Sequence, residues 1–167
     1  MNIRIAGTVE DSIVDGPGLR FVVFVQGCPH HCEGCHNPET HDFSAGKLTT
    51  TDALYEMCME NPLCSGVTFS GGEPFCQPEA LYELGSRFKD AGKHLMCYSG
   101  WTFEELLKKS GSEEYVGKLL SILDVLVDGR FDISKRSLSL LFRGSSNQRL
   151  IDVPASLSKG EAVELPE

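Results

Sequence analysis

At 167 residues, with 41% hydrophobic and 23% charged positions, the chain reads as one globular domain over 1–167, long enough to bury a core. The net charge of −9 speaks against a nucleic-acid groove, and no Lys/Arg cluster offsets it. Met1-Asn2-Ile3-Arg4 lacks the apolar stretch of a signal peptide and no run reaches transmembrane length, so the expectation is a cytoplasmic protein with no membrane partner.

In chain order, Ile3 to Val9 and Phe21 to Gln26 are expected strands, the second an almost unbroken apolar run that suits a sheet covered on both faces. Asp15-Gly16-Pro17-Gly18 between them is a turn. A cysteine-bearing loop fills 27–47. Thr49 to Asn61 reads as a helix with Thr49 as N-cap and Pro62 beyond its end. Gly66 to Ser70 is a short strand running into Gly71-Gly72-Glu73-Pro74. Pro78 to Ala91 is an amphipathic helix, apolar at Leu81, Leu84 and Phe88, with Gly92 as its stop signal.

His94 to Tyr98 is the next strand, with Ser99-Gly100 as its turn. Thr102-Phe103-Glu104-Glu105 has capping-box form and opens a helix, followed by a second from Ser112 to Leu123. Asp124 to Asp128 is a buried strand, Leu138 to Phe142 a further one, and 154–167 a short acidic tail. Repeated strand–loop–helix units with apolar strands predict a parallel βα architecture of the α/β class. Such folds place their reactive loops at the carboxyl ends of the strands. The cysteine loop, Ser70 to Pro74, Tyr98 to Trp101 and Asp128 to Arg130 all fall there, so four loops are expected on one face.

Cys28, Cys32 and Cys35 lie in Gly27-Cys28-Pro29-His30-His31-Cys32-Glu33-Gly34-Cys35-His36-Asn37. Seven cysteines in a chain without a leader speak for ligands, redox groups or buried thiols rather than a disulfide framework. Three thiolates are one short of what a cubane [4Fe-4S] cluster or a tetrahedral zinc requires. Zinc held with His30, His31 or His36 is one reading, although structural zinc usually pairs two separated knuckles. A thiol redox pair at Cys32-Glu33-Gly34-Cys35 leaves Cys28 unexplained. A cubane with one open iron is the leading reading. Gly71 and Gly72 are either a tight turn or a place where backbone approaches a ligand, and Glu73 beside them either a surface carboxylate or a group that orients a bound amine.

The C-x-x-x-C-x-x-C loop followed by Ser-Gly-Gly-Glu-Pro resembles the radical S-adenosylmethionine superfamily. Val14-Asp15-Gly16-Pro17-Gly18-Leu19-Arg20 is similar to the activating enzymes of glycyl-radical enzymes. Val125 to Phe131 and Arg143-Gly144-Ser145-Ser146-Asn147-Gln148-Arg149 resemble, more narrowly, the activators of anaerobic ribonucleoside-triphosphate reductase. The resemblance runs from about Asp11 to Ile151. It implies an incomplete, TIM-like βα barrel of about six parallel strands, open on one side, since a closed eight-unit barrel needs ~250 residues.

It also implies a mechanism. Cys28, Cys32 and Cys35 are expected to hold three irons of a [4Fe-4S] cluster, and the amino and carboxylate groups of S-adenosylmethionine to chelate the fourth. Reductive cleavage would give a 5′-deoxyadenosyl radical that takes a hydrogen from a glycine Cα of the partner reductase. A one-electron donor such as flavodoxin is implied. Gly71, Gly72 and Glu73 match the motif that holds the methionine amino end, while Gly34, Cys35 and His36 are expected along the adenosyl group. Asp128 and Arg130 align with residues near the methionine carboxylate, with a surface salt bridge as the competing reading.

The 143–149 string suits either a ligand loop or a plain polar turn. Tyr98 and Ser99 face the site or pack beside it. Cys58, Cys64, Cys76 and Cys97 are expected to be buried free thiols. The nearest alternative is activation of another glycyl-radical enzyme such as pyruvate formate-lyase; from a different class, a non-catalytic zinc or iron–sulfur module.

Overall fold

Arg20–Val25 (β2) stands in the middle of the sheet, and the apolar run makes it so: five of its six residues are buried. In the computed structural model, which describes residues 1–166, one seven-stranded sheet carries the fold. Its other strands are Asn2–Ser12 (β1), Lys47–Thr50 (β3), Gly66–Gly71 (β4), His94–Tyr98 (β5), Val125–Asp128 (β6) and Arg149–Asp152 (β7). The spatial order is β3-β1-β2-β4-β5-β6-β7. The pairs β2/β4, β4/β5 and β5/β6 are parallel, whereas β1 pairs antiparallel with both β2 and β3, and β7 antiparallel with β6.

The expected six parallel strands are therefore four, flanked on both sides by antiparallel ones. The reason is connectivity. A parallel neighbour needs a crossover of a dozen or more residues, usually a helix. The loop from Ile13 to Leu19 is too short for one, and the chain from 129 to 148 contains only a 3-10 turn at Ile133–Lys135, so both connections return antiparallel.

Helices Thr51–Met59 (α1), Pro78–Asp90 (α2), Phe103–Ser110 (α3), Glu114–Ile122 (α4) and Val153–Lys159 (α5) join the remaining strands or follow them. The predicted capping box is present, with Thr102 accepting from the Glu105 amide and Glu105 from the Thr102 amide. Three expectations fail. Thr49 is in β3, and Thr50 caps α1 by accepting from the Ala53 amide at 3.1 Å. Leu138 to Phe142 is an irregular loop with Leu138 88% exposed, and the last strand is Arg149–Asp152 instead. The tail contains α5, capped by Asp152, and its end folds back so that the Asp152 amide donates to Val163.

Alternation along the strands divides the interior. Leu95, Cys97 and Leu126 join the large core under the helices, while Met96, Val125, Val127 and Leu150 form a smaller one on the opposite face, packed by Tyr98 and Phe142. That second face is covered by loops rather than helices. No helix among the described residues is long and apolar enough to cross a membrane.

Candidate functional site

The four loops expected on one face do meet there. A cavity of about 510 Å³ opens at the carboxyl ends of β2, β4, β5 and β6, and Cys28, Cys32 and Cys35 all border it, together with Gly71, Gly72, Ser99 and Gly129.

Gly27 continues β2 with φ +106°, and its amide donates to Thr40 at 2.7 Å, which closes the cysteine loop on itself. His31 (φ +48°) and Gly34 (φ +72°) then turn the chain in the left-handed region, so that the three thiols reach a common space. Burial pushes the Cys28 thiol pKa up, against the amides of His30 and His31 directed at it; Cys32 is likewise raised by burial and opposed by the Phe131 amide. The Asn37 amide donates to Cys35 Sγ at 3.4 Å. An amide given to the Cys35 sulfur suits an iron-bound thiolate, whose potential such bonds tune.

All three thiols are free. Among the described residues, no three Cys, His, Asp or Glu side chains gather tightly enough for a single metal ion. Ligands to separate irons of a cubane need not converge on one point, so this donor set fits a [4Fe-4S] cluster.

Gly71 and Gly72 are required by backbone contact. A Cβ at Gly71 (φ +113°) would lie 2.5 Å from the Val25 amide nitrogen and carbonyl oxygen, and one at Gly72 2.5 Å from the Gly27 carbonyl oxygen. These glycines press β4 and its loop against the start of the cysteine loop while bordering the cavity.

Glu73 is not turned toward the cavity. It is 1% exposed, and its carboxylate accepts from four sides: His30 Nε2 at 2.7 Å, the Gly100 amide at 2.7 Å, Ser99 Oγ at 3.0 Å and the Phe75 amide at 3.0 Å. Such a set satisfies a buried carboxylate. Arg130 Nε donates to His30 Nδ1 at 3.2 Å, so Nδ1 is the acceptor and Nε2 carries the hydrogen given to Glu73. The amine-orienting role expected of the Glu73 side chain has no support in this arrangement.

Asp128 is also withdrawn. It is 1% exposed and accepts from the Phe103 amide at 2.7 Å and from Arg149 Nη2 at 2.5 Å, so its expected place at a methionine carboxylate is taken by a structural ion pair. Arg130 is exposed beside His30. Gly34 lies against Ile133 and Phe131, and the His36 ring is 5.1 Å from that of Phe131; both rings border the cavity next to Cys35.

The 143–149 string divides in two. Arg143 and Gly144 border the cavity, as does Gln148. Asn147 Nδ2 donates to the Arg130 carbonyl and Gln148 Nε2 to that of Gly129, which fastens the β6 loop. Tyr98 and Ser99 both border the cavity, and the Tyr98 hydroxyl donates to the Phe142 carbonyl at 2.7 Å.

Of the four remaining cysteines expected to be buried, Cys76 is only half-buried, at the 3-10 turn that follows Glu73. Cys58, Cys64 and Cys97 are buried, the first two with sulfurs 3.8 Å apart, and burial pushes the Cys58 and Cys76 thiol pKa values up to about 12.

Three residues escaped sequence reasoning. Phe131 and the role of His30 depend on which loops meet. Arg20 lies fully buried under the second face, donating to Thr68 Oγ1, the Val67 carbonyl and the Pro17 carbonyl at 2.8 Å each, which pins the 15–18 loop over the sheet. A buried Arg inside an apolar strand was the available signal.

Residues 14–151 match the 4Fe-4S single cluster domain family. The anaerobic ribonucleoside-triphosphate reductase-activating protein of Enterobacteria phage T4 is 32% identical over 146 residues, 82% of this chain and 86% of its own length. The one from Haemophilus influenzae is 34% identical over 81% of this chain and 89% of its own. The pyruvate formate-lyase-activating enzyme of Clostridium pasteurianum is 40% identical over 114 residues, and the alignment spans only 48% of that longer enzyme. Among solved structures, QueE from Escherichia coli shares the fold with TM-score 0.51 at 17% identity, over 61% of this chain and 54% of that one.

Proposed function

The chain belongs to the family of the anaerobic ribonucleoside-triphosphate reductase-activating proteins, as a 4Fe-4S single cluster domain, and from that membership we propose that it installs a glycyl radical on an anaerobic ribonucleoside-triphosphate reductase. The observation that carries the reading is that Cys28, Cys32 and Cys35 all border one cavity, together with Gly71, Gly72 and Ser99. Cys28, Cys32 and Cys35 hold the [4Fe-4S] cluster in this reading. When bound, the cluster and S-adenosylmethionine supply one-electron cleavage of the sulfonium and abstraction of a hydrogen atom from a glycine Cα of the partner.

The protein does the rest. Gly71 and Gly72 bring bare backbone to the cavity for a methionine end, with the Gly72 amide already given to the Val25 carbonyl at 3.1 Å. His36 and Phe131 offer ring surface beside Cys35 for an adenine. Loops 13–18 and 137–144 lie over the second face, where they limit access of water to the strands beneath them. A small electron-transfer protein such as flavodoxin is the proposed donor, acting in the cytoplasm.

Anaerobic reconstitution tests the proposal. A brown protein that releases 5′-deoxyadenosine under dithionite, and leaves a glycine-centred doublet in the electron paramagnetic resonance spectrum of the reductase, is the expected result. A colourless protein with one tight zinc and no cleavage overturns it. The 40% identity to a pyruvate formate-lyase-activating enzyme favours a second reading, activation of that lyase, and the same assay with each partner separates the two.

A further inference from the structure

His30 sits between two candidate ligands, and its ring is where all four loops of the site touch. The side chain is 4% exposed. Nε2 donates to Glu73 on the β4 loop at 2.7 Å, and Nδ1 accepts from Arg130 on the β6 loop at 3.2 Å. The ring meets Trp101, after β5, edge-on at 4.7 Å between centroids.

Its remaining side lies directly on Gly100: a Cβ there would fall 2.5 Å from Nε2 and 2.8 Å from Cγ. Gly100 does not take a positive φ, so the absent side chain serves the ring and not a left-handed turn. Both ring nitrogens are occupied, which leaves His30 no lone pair for a metal. The Glu73 carboxylate that receives the ring also binds Ser99 and Gly100, which border the same cavity as the thiols.

We propose that His30, locked by Glu73 and Gly100, is the positioning residue of the site: it sets where the Cys28–Cys32 segment stands relative to the β4 and β5 loops. The idea rests on the proposed function for its ligand but not for its geometry. A short loop carrying left-handed torsions at His31 and Gly34 has no regular secondary structure to hold it, and a buried, doubly hydrogen-bonded ring supplies the missing constraint. Cys28 and Cys32 flank the ring by two residues each, so a ring that moves takes both sulfurs with it. The carboxylate of the Gly-Gly-Glu run thereby acts through the histidine and the Ser99-Gly100 turn.

The test uses His30→Ala, His30→Gln and Gly100→Ala in the full chain, reconstituted anaerobically with iron and sulfide. Gly100→Ala displaces the ring while leaving imidazole and carboxylate chemically intact; the amide of His30→Gln can still donate to Glu73. We expect His30→Ala and Gly100→Ala to bind iron at the parent's level, yet to give a broadened spectrum of the reduced cluster and a tenfold or greater rise in KM for S-adenosylmethionine. His30→Gln should return both toward the parent.

Parent-like line shape and KM in His30→Ala and Gly100→Ala would overturn the proposal. So would loss of folding in both without rescue by His30→Gln, since the ring would then be a packing element only. If the parent itself fails to respond to S-adenosylmethionine, the functional reading is wrong, while the line-shape comparison still decides the role of His30.

Discussion

Arg149 grips Asp128 with two nitrogens, Nε at 3.0 Å and Nη2 at 2.5 Å, and so ties the end of β6 to the start of β7 while the same carboxylate caps the first amide of α3 at Phe103. The pair raises the Arg149 pKa, chiefly through the hydrogen bond to Asp128. Arg149→Met leaves a buried carboxylate with one donor. Because Arg149 is 28% exposed, the loss expected in urea denaturation is about 2–3 kcal/mol, below the range for fully buried pairs. Iron content after reconstitution should not change; if it fell, Asp128 would belong to the site after all.

The two glycines of β4 and its loop should be far less replaceable than a left-handed glycine with open space around it. Gly71→Ala places a methyl on backbone atoms of β2 that cannot move aside, and a loss above about 3 kcal/mol, or failure to fold, is expected. Gly92 (φ +79°) has nothing within 4 Å, so Gly92→Ala carries only the torsional cost of about 1–2 kcal/mol. Thermal melts of the two apoproteins compare them directly, and equal losses would refute the contact argument.

Cysteine replacement should divide the seven into two classes. Cys28→Ala, Cys32→Ala and Cys35→Ala are each expected to lose the cluster, read as iron and sulfide content and visible absorbance. Cys58→Ala and Cys97→Ala, which empty small volumes in the core, should keep it while losing about 1–2 kcal/mol of stability. A cluster lost with Cys58→Ala would show that the ligand set is wrongly assigned.

Cys58 also predicts a pH dependence in the apoprotein. Burial, with Cys64 beside it, pushes its pKa from 9.0 up to about 12. Above pH 9 the unfolded chain releases this proton and the folded one keeps it. Its contribution to stability is therefore complete below about pH 9 and is lost as pH rises toward 12, at no more than about 1.4 kcal/mol per pH unit. The difference between the parent and Cys58→Ala in denaturant midpoint, followed from pH 8 to 11, isolates the effect; parallel curves would exclude it.

Tyr98→Phe removes the hydroxyl that holds the Phe142 carbonyl across the second face, where Phe142 itself has a left-handed φ of +57°. A loss of about 1 kcal/mol is expected, together with faster amide exchange confined to 137–144. Unchanged exchange there would mean that the loop is held by its other contacts.

The parallel strands were legible because their signal is local. Val22, Val23 and Val25 are apolar side by side, which only a strand covered on both faces can bury, and His94 to Tyr98 forms the strand its composition implies. The antiparallel edges were not, since they depend on whether a connection contains a helix. Lys47–Thr50 and Arg149–Asp152 are four-residue strands too short to show a periodicity, and pairing with β1 and β6 makes them strands.

The chemistry of the site was written in the chain itself: three cysteines at fixed spacing, and glycines after a strand, restrict which groups can stand together whatever surrounds them. Which carboxylate would face the cavity was not. Glu73 and Asp128 carry the same charge in similar strand-end contexts, and both proved to be turned inward, one to His30 and the other to Arg149. A buried charge takes whichever donors surround it, and those donors, separated by 43 residues in one case and 21 in the other, become neighbours only when the sheet assembles.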